Sequence, residues 1–495
     1  MTVVLNTRHD ITLEAVRRVA RGGEDCVLSD LALAAIGRAR ASFMELVNSD
    51  RSQFIYGTTT AGGEGARKRL SAEEQKALPR RQMPLKGFSF GDPLPSRVTR
   101  AIVLARLANF IEGNGKVRPE LASRVLNLLR EADLPPVPSR GTTWAGETTV
   151  PARLFGPVRQ SGDLQEGEGM ALVNGSCVAP ALAADASLRA TKRMAIVASV
   201  YALSIEALNA PLDHYEPALK DLWGDPHDGM ALDALNRLLA GADRAGRRAY
   251  QAPVSWRIAP RVMGQMYRAA EKLETAATTS LRAVSDNPVY ILPDTAHPLG
   301  RALSTGGYHN GMATPALDWM AQAWADICGL ADRHTTKLLR GDVSLLPNRL
   351  IDAEHPFGVR FDVAQVQWGE EARNAAQPTF IPMSEGGGST QDDTPNPVMI
   401  AWRKEQMVAE CLDAAMAMLA ATASQALYVA GREPAPPLRP FLHAVRRHFP
   451  PVASYRDQGE EAERLTRAFA AAAVSPDPDL LVGDPADGVL SHIVR

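Results

Sequence analysis

The chain has 495 residues, 45% of them apolar and 22% charged, with a formal net charge of −2. That length allows about three domains, and the near balance of charge gives no electrostatic case for nucleic acid or an anionic membrane as partner. Cys26, Cys177, Cys328 and Cys411 stand without pairable or ligand-like spacing, and the histidines form no close ligand pairs. Reduced thiols in a cytoplasmic protein and no metal are therefore expected. The N-terminus lacks a basic segment followed by an apolar core, and no uncharged apolar run reaches spanning length, which speaks against secretion and membrane insertion.

In chain order, Thr12 reads as the cap of a helix bearing Leu13, Val16 and Val19 on one face and stopped by Gly22-Gly23. A second helix follows from Ser29, with Ile36, Phe43, Leu46 and Val47 on its apolar side. The glycine-rich loop 54–63 holds Tyr56-Gly57, and the charged stretch 64–82 reads as a solvated lid, followed by Lys86. Helical spacing returns from Arg97 to Leu129, broken at Glu112-Gly-Asn-Gly115. The segment Gly141-Thr-Thr-Trp-Ala-Gly-Glu-Thr-Thr-Val-Pro151 is too rich in glycine and threonine for a helix interior. Beyond it, Leu188 to Leu208 is apolar on nearly all sides, as a helix at the centre of a bundle should be. A three-four repeat then runs from Met263 to Val284. Further helices are expected around Trp319 to Leu339, Met399 to Val429 and Glu460 to Ala473, with 212–250 packing outside. The glycine-rich run 384–393 lacks the Gly-Lys-Ser/Thr of a phosphate loop. There is likewise no Gly-x-Ser-x-Gly elbow.

Several of these stretches, in this order, resemble the aromatic amino acid lyases (histidine and phenylalanine ammonia-lyases). Tyr56-Gly57 is similar to the family's Tyr-Gly-x-x-Thr-Gly-Phe-Gly, and Lys86 falls where a histidine stands in Ser-His-x-x-Gly-x-Gly. Asn174 lies in a matching Asn-Gly-Ser, Arg257 in a stretch similar to Gln-Asp-x-Tyr-Ser-x-Arg, with Val254 replacing the tyrosine. Ala283-Val-Ser-Asp-Asn-Pro288 nearly repeats a family signature, Tyr308 occupies the place of a pocket phenylalanine, and Gln391-Asp392 matches a Gln-Glu pair. The loop at 141–151 is similar to Gly-Ser-Val-Gly-Ala-Ser-Gly-Asp-Leu-x-Pro, whose Ala-Ser-Gly cyclises to the methylidene-imidazolone electrophile. Here the triad is Ala145-Gly146-Glu147. Gly146 has no Cβ from which a methylene could form, so this loop reads as degenerate and no cofactor is expected.

The resemblance implies an all-α fold with a long central helix bundle and an N-terminal loop-rich helical part. Residues 1–185 are expected to carry the tyrosine loop, the lid and the degenerate loop, residues 186–430 the bundle, and 431–495 a helical tail. It also implies a homotetramer with shared active sites and a small carboxylate-bearing substrate. Tyr56 and Lys86 are the expected proton carriers, Asn174 and Arg257 the carboxylate partners, and Tyr308, Gln391 and Asp392 the lining. The function expected is elimination, or its reverse addition or cyclisation, without methylidene-imidazolone. The alternatives are an amino acid ammonia-lyase with another activation and a non-catalytic homologue that binds a ligand or partner.

Overall fold

The computed structural model describes residues 2–49, 53–80, 88–160, 163–381 and 392–475, excepting the side chains of Glu64 and Arg80. Lys86 and Gln391, both expected at the site, lie outside the described residues. The chain is mainly helical and forms two compact units, each assembled from three separate stretches of sequence.

The first unit comprises Met1–Ala186, Glu274–Pro315 and Thr379–Trp402. Its opening helix starts where Thr12 accepts from the Ala15 N–H at 3.1 Å, and it leaves the helical path at Gly22 and Gly23, the latter at φ +70°. Helix Asp30–Ser49 starts where Ser29 accepts from the Ala32 N–H at 3.2 Å. It buries Ile36, Phe43, Leu46 and Val47, the face set by its helical spacing. Helix Ser96–Phe110 is buried on almost every side and carries three polar residues inward, Thr99, Arg106 and Asn109. Among the described residues of this unit are three two-stranded ladders, one parallel (Val3–Leu5 with Cys26–Leu28) and two antiparallel (Phe90–Pro93 with Pro138–Arg140, Val289–Ile291 with Arg301–Leu303). These strands have three or four residues each, too short to register in the apolar pattern.

The second unit comprises Ser187–Leu273, Ala316–Pro378 and Arg403–Arg495. Its core is built on long helical segments crossed by buried ion pairs. Arg189 donates to Glu405 at 2.8 Å, and Arg193 grips Asp413 with two bonds of 2.9 and 2.7 Å. Trp324 donates its indole N–H to the same Glu405 at 3.2 Å. His334 stacks flat on Trp256 at 3.8 Å with Ser204 on its Nδ1 at 2.8 Å, and burial drops its pKa to about 3. The 212–250 region, expected on the outside, includes helix Pro226–Leu238, capped by Asp225 and burying Ala231, Leu232, Leu235 and Leu238.

Helix Val178–Leu208 begins well before Leu188, where the apolar pattern first announces it. Its early start is explained below by a cap distant in sequence. Among the described residues, helix Val398–Val429 is long and apolar enough to cross a membrane by composition, but 89% of its most apolar stretch is buried within the protein, as in a core helix.

Removing one partner of a buried, hydrogen-bonded ion pair strands the other in a low dielectric. Asp413→Ala is accordingly expected to lower unfolding free energy by about 3–5 kcal/mol in chemical denaturation. A loss below about 1 kcal/mol would mean that the Arg193–Asp413 pair behaves like a solvated surface bridge.

Candidate active site

Irregular backbone can be kept inside a protein only if its N–H and C=O groups find partners. In the first unit two buried cations supply them. Arg106, fully buried, donates to the carbonyls of Ala171, Asn174 and Gly175 and to the Cys177 sulfur, so it holds the turn 171–177 from beneath. Lys116 pairs with Asp286 at 2.8 Å and donates to the Pro288 carbonyl at 2.7 Å, holding the segment 285–288, whose Asn287–Pro288 bond is cis. Asn109 accepts from the Ser285 N–H at 2.7 Å, and Ser285 accepts from the Ser176 N–H at 2.9 Å, which joins the two segments.

Above them lies a cavity of about 700 Å³, lined in part by Tyr56, Trp144, Gly146, Asn174, Tyr308 and Asp392. Tyr56 is set by a tight turn in which the N–H groups of Thr58, Thr59 and Thr60 all point at the Ile55 carbonyl. Gly57 stands at φ +67°, and a Cβ there would lie 2.7 Å from Met170 Cγ, so glycine is required on both counts. The Tyr56 hydroxyl accepts from the Gly63 N–H at 2.9 Å. Burial raises the phenol above its ordinary value; the Gly63 bond opposes this, and the nearby Asp392 and Tyr308 add to it.

Asn174 also lines the cavity, its amide nitrogen donating to the Asn287 carbonyl at 2.7 Å. Tyr308 packs on Gly146, where a Cβ would meet its ring at 3.3 Å. Asp392 accepts from the Trp144 indole N–H at 3.0 Å. Among the described residues that line the cavity, Asp392 is the one with a formal charge.

Arg257 belongs to the second unit, where its Nε donates to the Ala252 carbonyl at 3.1 Å, and it is not part of the cavity's lining. Of the residues expected at the site, the structure therefore brings together Tyr56, Ala145, Gly146, Asn174, Tyr308 and Asp392.

Glu147 lies behind the loop rather than in the lining. At φ +57° it turns its side chain inward, fully buried, where Oε2 accepts from the N–H groups of Val178 (3.2 Å) and Ala179 (3.0 Å) and Oε1 from the Asn396 amide (2.7 Å). Burial pushes its pKa up to about 7, opposed by those backbone donors and by Arg106. Sequence reasoning missed Arg106, Lys116, Asn109 and Trp144 as site-forming residues. The available signals were an arginine inside an apolar helix and an indole in a loop of small residues.

The profile of the aromatic amino acid lyases matches residues 11–163 and 159–447. The histidine ammonia-lyase of Caldanaerobacter subterraneus subsp. tengcongensis is 26% identical over 462 residues, 86% of this chain and 88% of that protein. Among solved structures, ergothionase from Treponema denticola, an ergothioneine-degrading enzyme seen with desmethyl-ergothioneine sulfonic acid, superposes with a TM-score of 0.86 at 18% identity, covering 96% of this chain and 99% of the other. Histidine ammonia-lyase from Trypanosoma cruzi gives 0.83 at 22% identity, with 100% and 98% covered.

Gly57→Ala combines a left-handed backbone with a clash against Met170. It is expected to cost about 1–3 kcal/mol of stability in thermal or chemical unfolding, and an alanine variant as stable as the parent would contradict the geometry of the Tyr56 turn.

Proposed function

The chain belongs to the aromatic amino acid lyase family, and from that premise we propose that it is an ammonia-lyase-like enzyme working by acid–base elimination, or the reverse addition or cyclisation, without methylidene-imidazolone. The observation that carries the reading is Gly146. The family's group needs a side-chain oxygen on the middle residue of its triad, lost as water to leave an exocyclic methylene, and Gly146 has no Cβ. The peptide N–H of Glu147 is also engaged, donating to the Trp144 carbonyl at 2.9 Å. These residues do not fit the group.

What remains is proton transfer. Tyr56 as phenolate takes the proton from the substrate carbon next to the one bearing nitrogen; the C–H electrons form the double bond, and the C–N pair departs with the amine. With its pKa raised, Tyr56 enters the site protonated and is a poor base on its own. A cation must bring the phenol down. A positively charged amine held beside Asp392 would supply it from the substrate, and Lys86 would supply it from the enzyme. The same logic selects the leaving group: without an electrophile to activate it, the group must be better than ammonia, as a permanently charged N-alkylated ammonium is, which departs as a neutral amine. An ergothioneine-degrading enzyme among the fold neighbours is in keeping with a substrate derived from an amino acid.

Asn174 has its amide engaged and the described lining offers no cation, so the substrate carboxylate needs a partner from elsewhere. In this reading Arg257 of another subunit of a homotetramer supplies it through a two-pronged bond that lysine cannot reproduce. The substrate is then a small, carboxylate-bearing compound derived from an amino acid.

The direct test incubates the purified protein with histidine, phenylalanine, tyrosine and their N-alkylated forms, and follows the conjugated acid by absorbance. Turnover is expected on an N-alkylated form; efficient ammonia release from the free amino acids would favour another activation, and no turnover on any of them would favour a ligand-binding homologue. On the substrate so found, Tyr56→Phe is expected to lower kcat by about 10²–10⁴ with binding retained, and full activity in that variant would place the base elsewhere. Arg257→Lys should weaken substrate binding by about 1.5–3 kcal/mol in calorimetry, an unchanged affinity marking Arg257 as structural.

A further inference from the structure

We infer that Glu147 is the positioning residue of this cavity: its buried carboxylate ties the loop bearing Trp144 and Gly146 to the start of helix Val178–Leu208 and to Asn396, and so sets where Trp144 and Asp392 stand. This concerns how the site is held, and it stands whether or not the substrate reading above is right.

Three contacts pair the loop 143–147 with the segment 392–396. The Trp144 indole donates to Asp392 at 3.0 Å, the Asn396 N–H donates to the Thr143 carbonyl at 3.0 Å, and the Asn396 amide donates to Glu147 at 2.7 Å. Glu147 also reaches a third element, the first two peptide N–H groups of a 31-residue helix, where the helix dipole favours negative charge. The carboxylate thus has three donors around its two oxygens, and each donor sits on a different residue. Its left-handed backbone is a strained choice for a residue with a Cβ. In that conformation the side chain turns inward onto Val178 and Ala179. Glu147 itself does not line the cavity, so it acts on a ligand only through Trp144, Gly146 and Asp392.

Among the described residues, Arg106 faces the carboxylate from helix Ser96–Phe110, the Ser176 hydroxyl and the Cys177 thiol from just before the helix start, and the uncharged amide of Asn396 from the far side. The sign of the pH dependence follows from linkage. Buried, Glu147 titrates at about 7; exposed, it returns to 4.5. Opening the loop to water therefore releases a proton between those values, and the closed arrangement loses stability as pH rises from 4.5 to about 7 and levels off above.

Hydrogen exchange of the whole protein, read on peptides covering 143–149 and 392–398 and corrected for intrinsic rates, tests this without any ligand. In the parent chain, protection of both peptides should fall together as pH rises through that window. Glu147→Gln keeps the shape but not the charge, and the slope should vanish from both peptides. Glu147→Gly removes the anchor at a backbone angle that glycine prefers, and protection of 392–398 should drop roughly ten- to hundred-fold. Should Glu147→Gly fold poorly, Asn396→Asp serves instead: a second carboxylate at the pair should carry the slope to higher pH. Unchanged protection of 392–398 in Glu147→Gly, a slope surviving in Glu147→Gln, or an unmoved slope in Asn396→Asp would each overturn the inference.

Discussion

The cavity depends on two buried cations that spend their hydrogen-bonding capacity on backbone. Arg106 binds three carbonyls of the turn 171–177, and Lys116 binds Asp286 and the Pro288 carbonyl. A helix or sheet satisfies its own peptide groups; the segments that present Asn174 and Asn287 do so only in part. Without those donors the carbonyls of Asn174 and Pro288 would lose the bonds that hold them, a buried carbonyl left unsatisfied costing about 1–3 kcal/mol. The pocket therefore rests on charged side chains on and just after helix Ser96–Phe110 that are not themselves part of its lining.

The same low dielectric shapes the chemistry above. Burial raises the Tyr56 phenol, and the carboxylate nearby adds to that rise. A positive charge placed beside the phenol would act in the opposite sense and lower it. Glu147 is subject to the same pressure from burial, but its donors and Arg106 oppose it. The phenol oxygen receives one N–H and the carboxylate three, and at both groups burial outweighs the donors.

How much could be read from the sequence depended on whether the relevant partner was near in the chain. Thr12, Ser29 and Gly22-Gly23 mark helix ends through contacts a few residues long, and the structure has those ends close to where they were expected. The start of helix Val178–Leu208 was placed too late because its cap, Glu147, lies 31 and 32 residues upstream of the N–H groups it binds. Trp144 and Asp392 are 248 residues apart, and no local pattern relates them. Motif order, by contrast, brought Tyr56, Asn174, Tyr308 and Asp392 into one list before any geometry was known, and they do line one cavity. Arg257 came from the same kind of motif but lies in the other unit and outside the cavity's lining, because motif order does not say which unit of the fold a side chain joins.

The central claim is that the loop at Ala145-Gly146-Glu147 stays an ordinary peptide. Intact-protein mass spectrometry, followed by mapping of the peptide that spans these residues, addresses it directly. The account predicts the mass of the unmodified chain and an unmodified peptide. Loss of two waters located at Ala145 to Glu147 would contradict it.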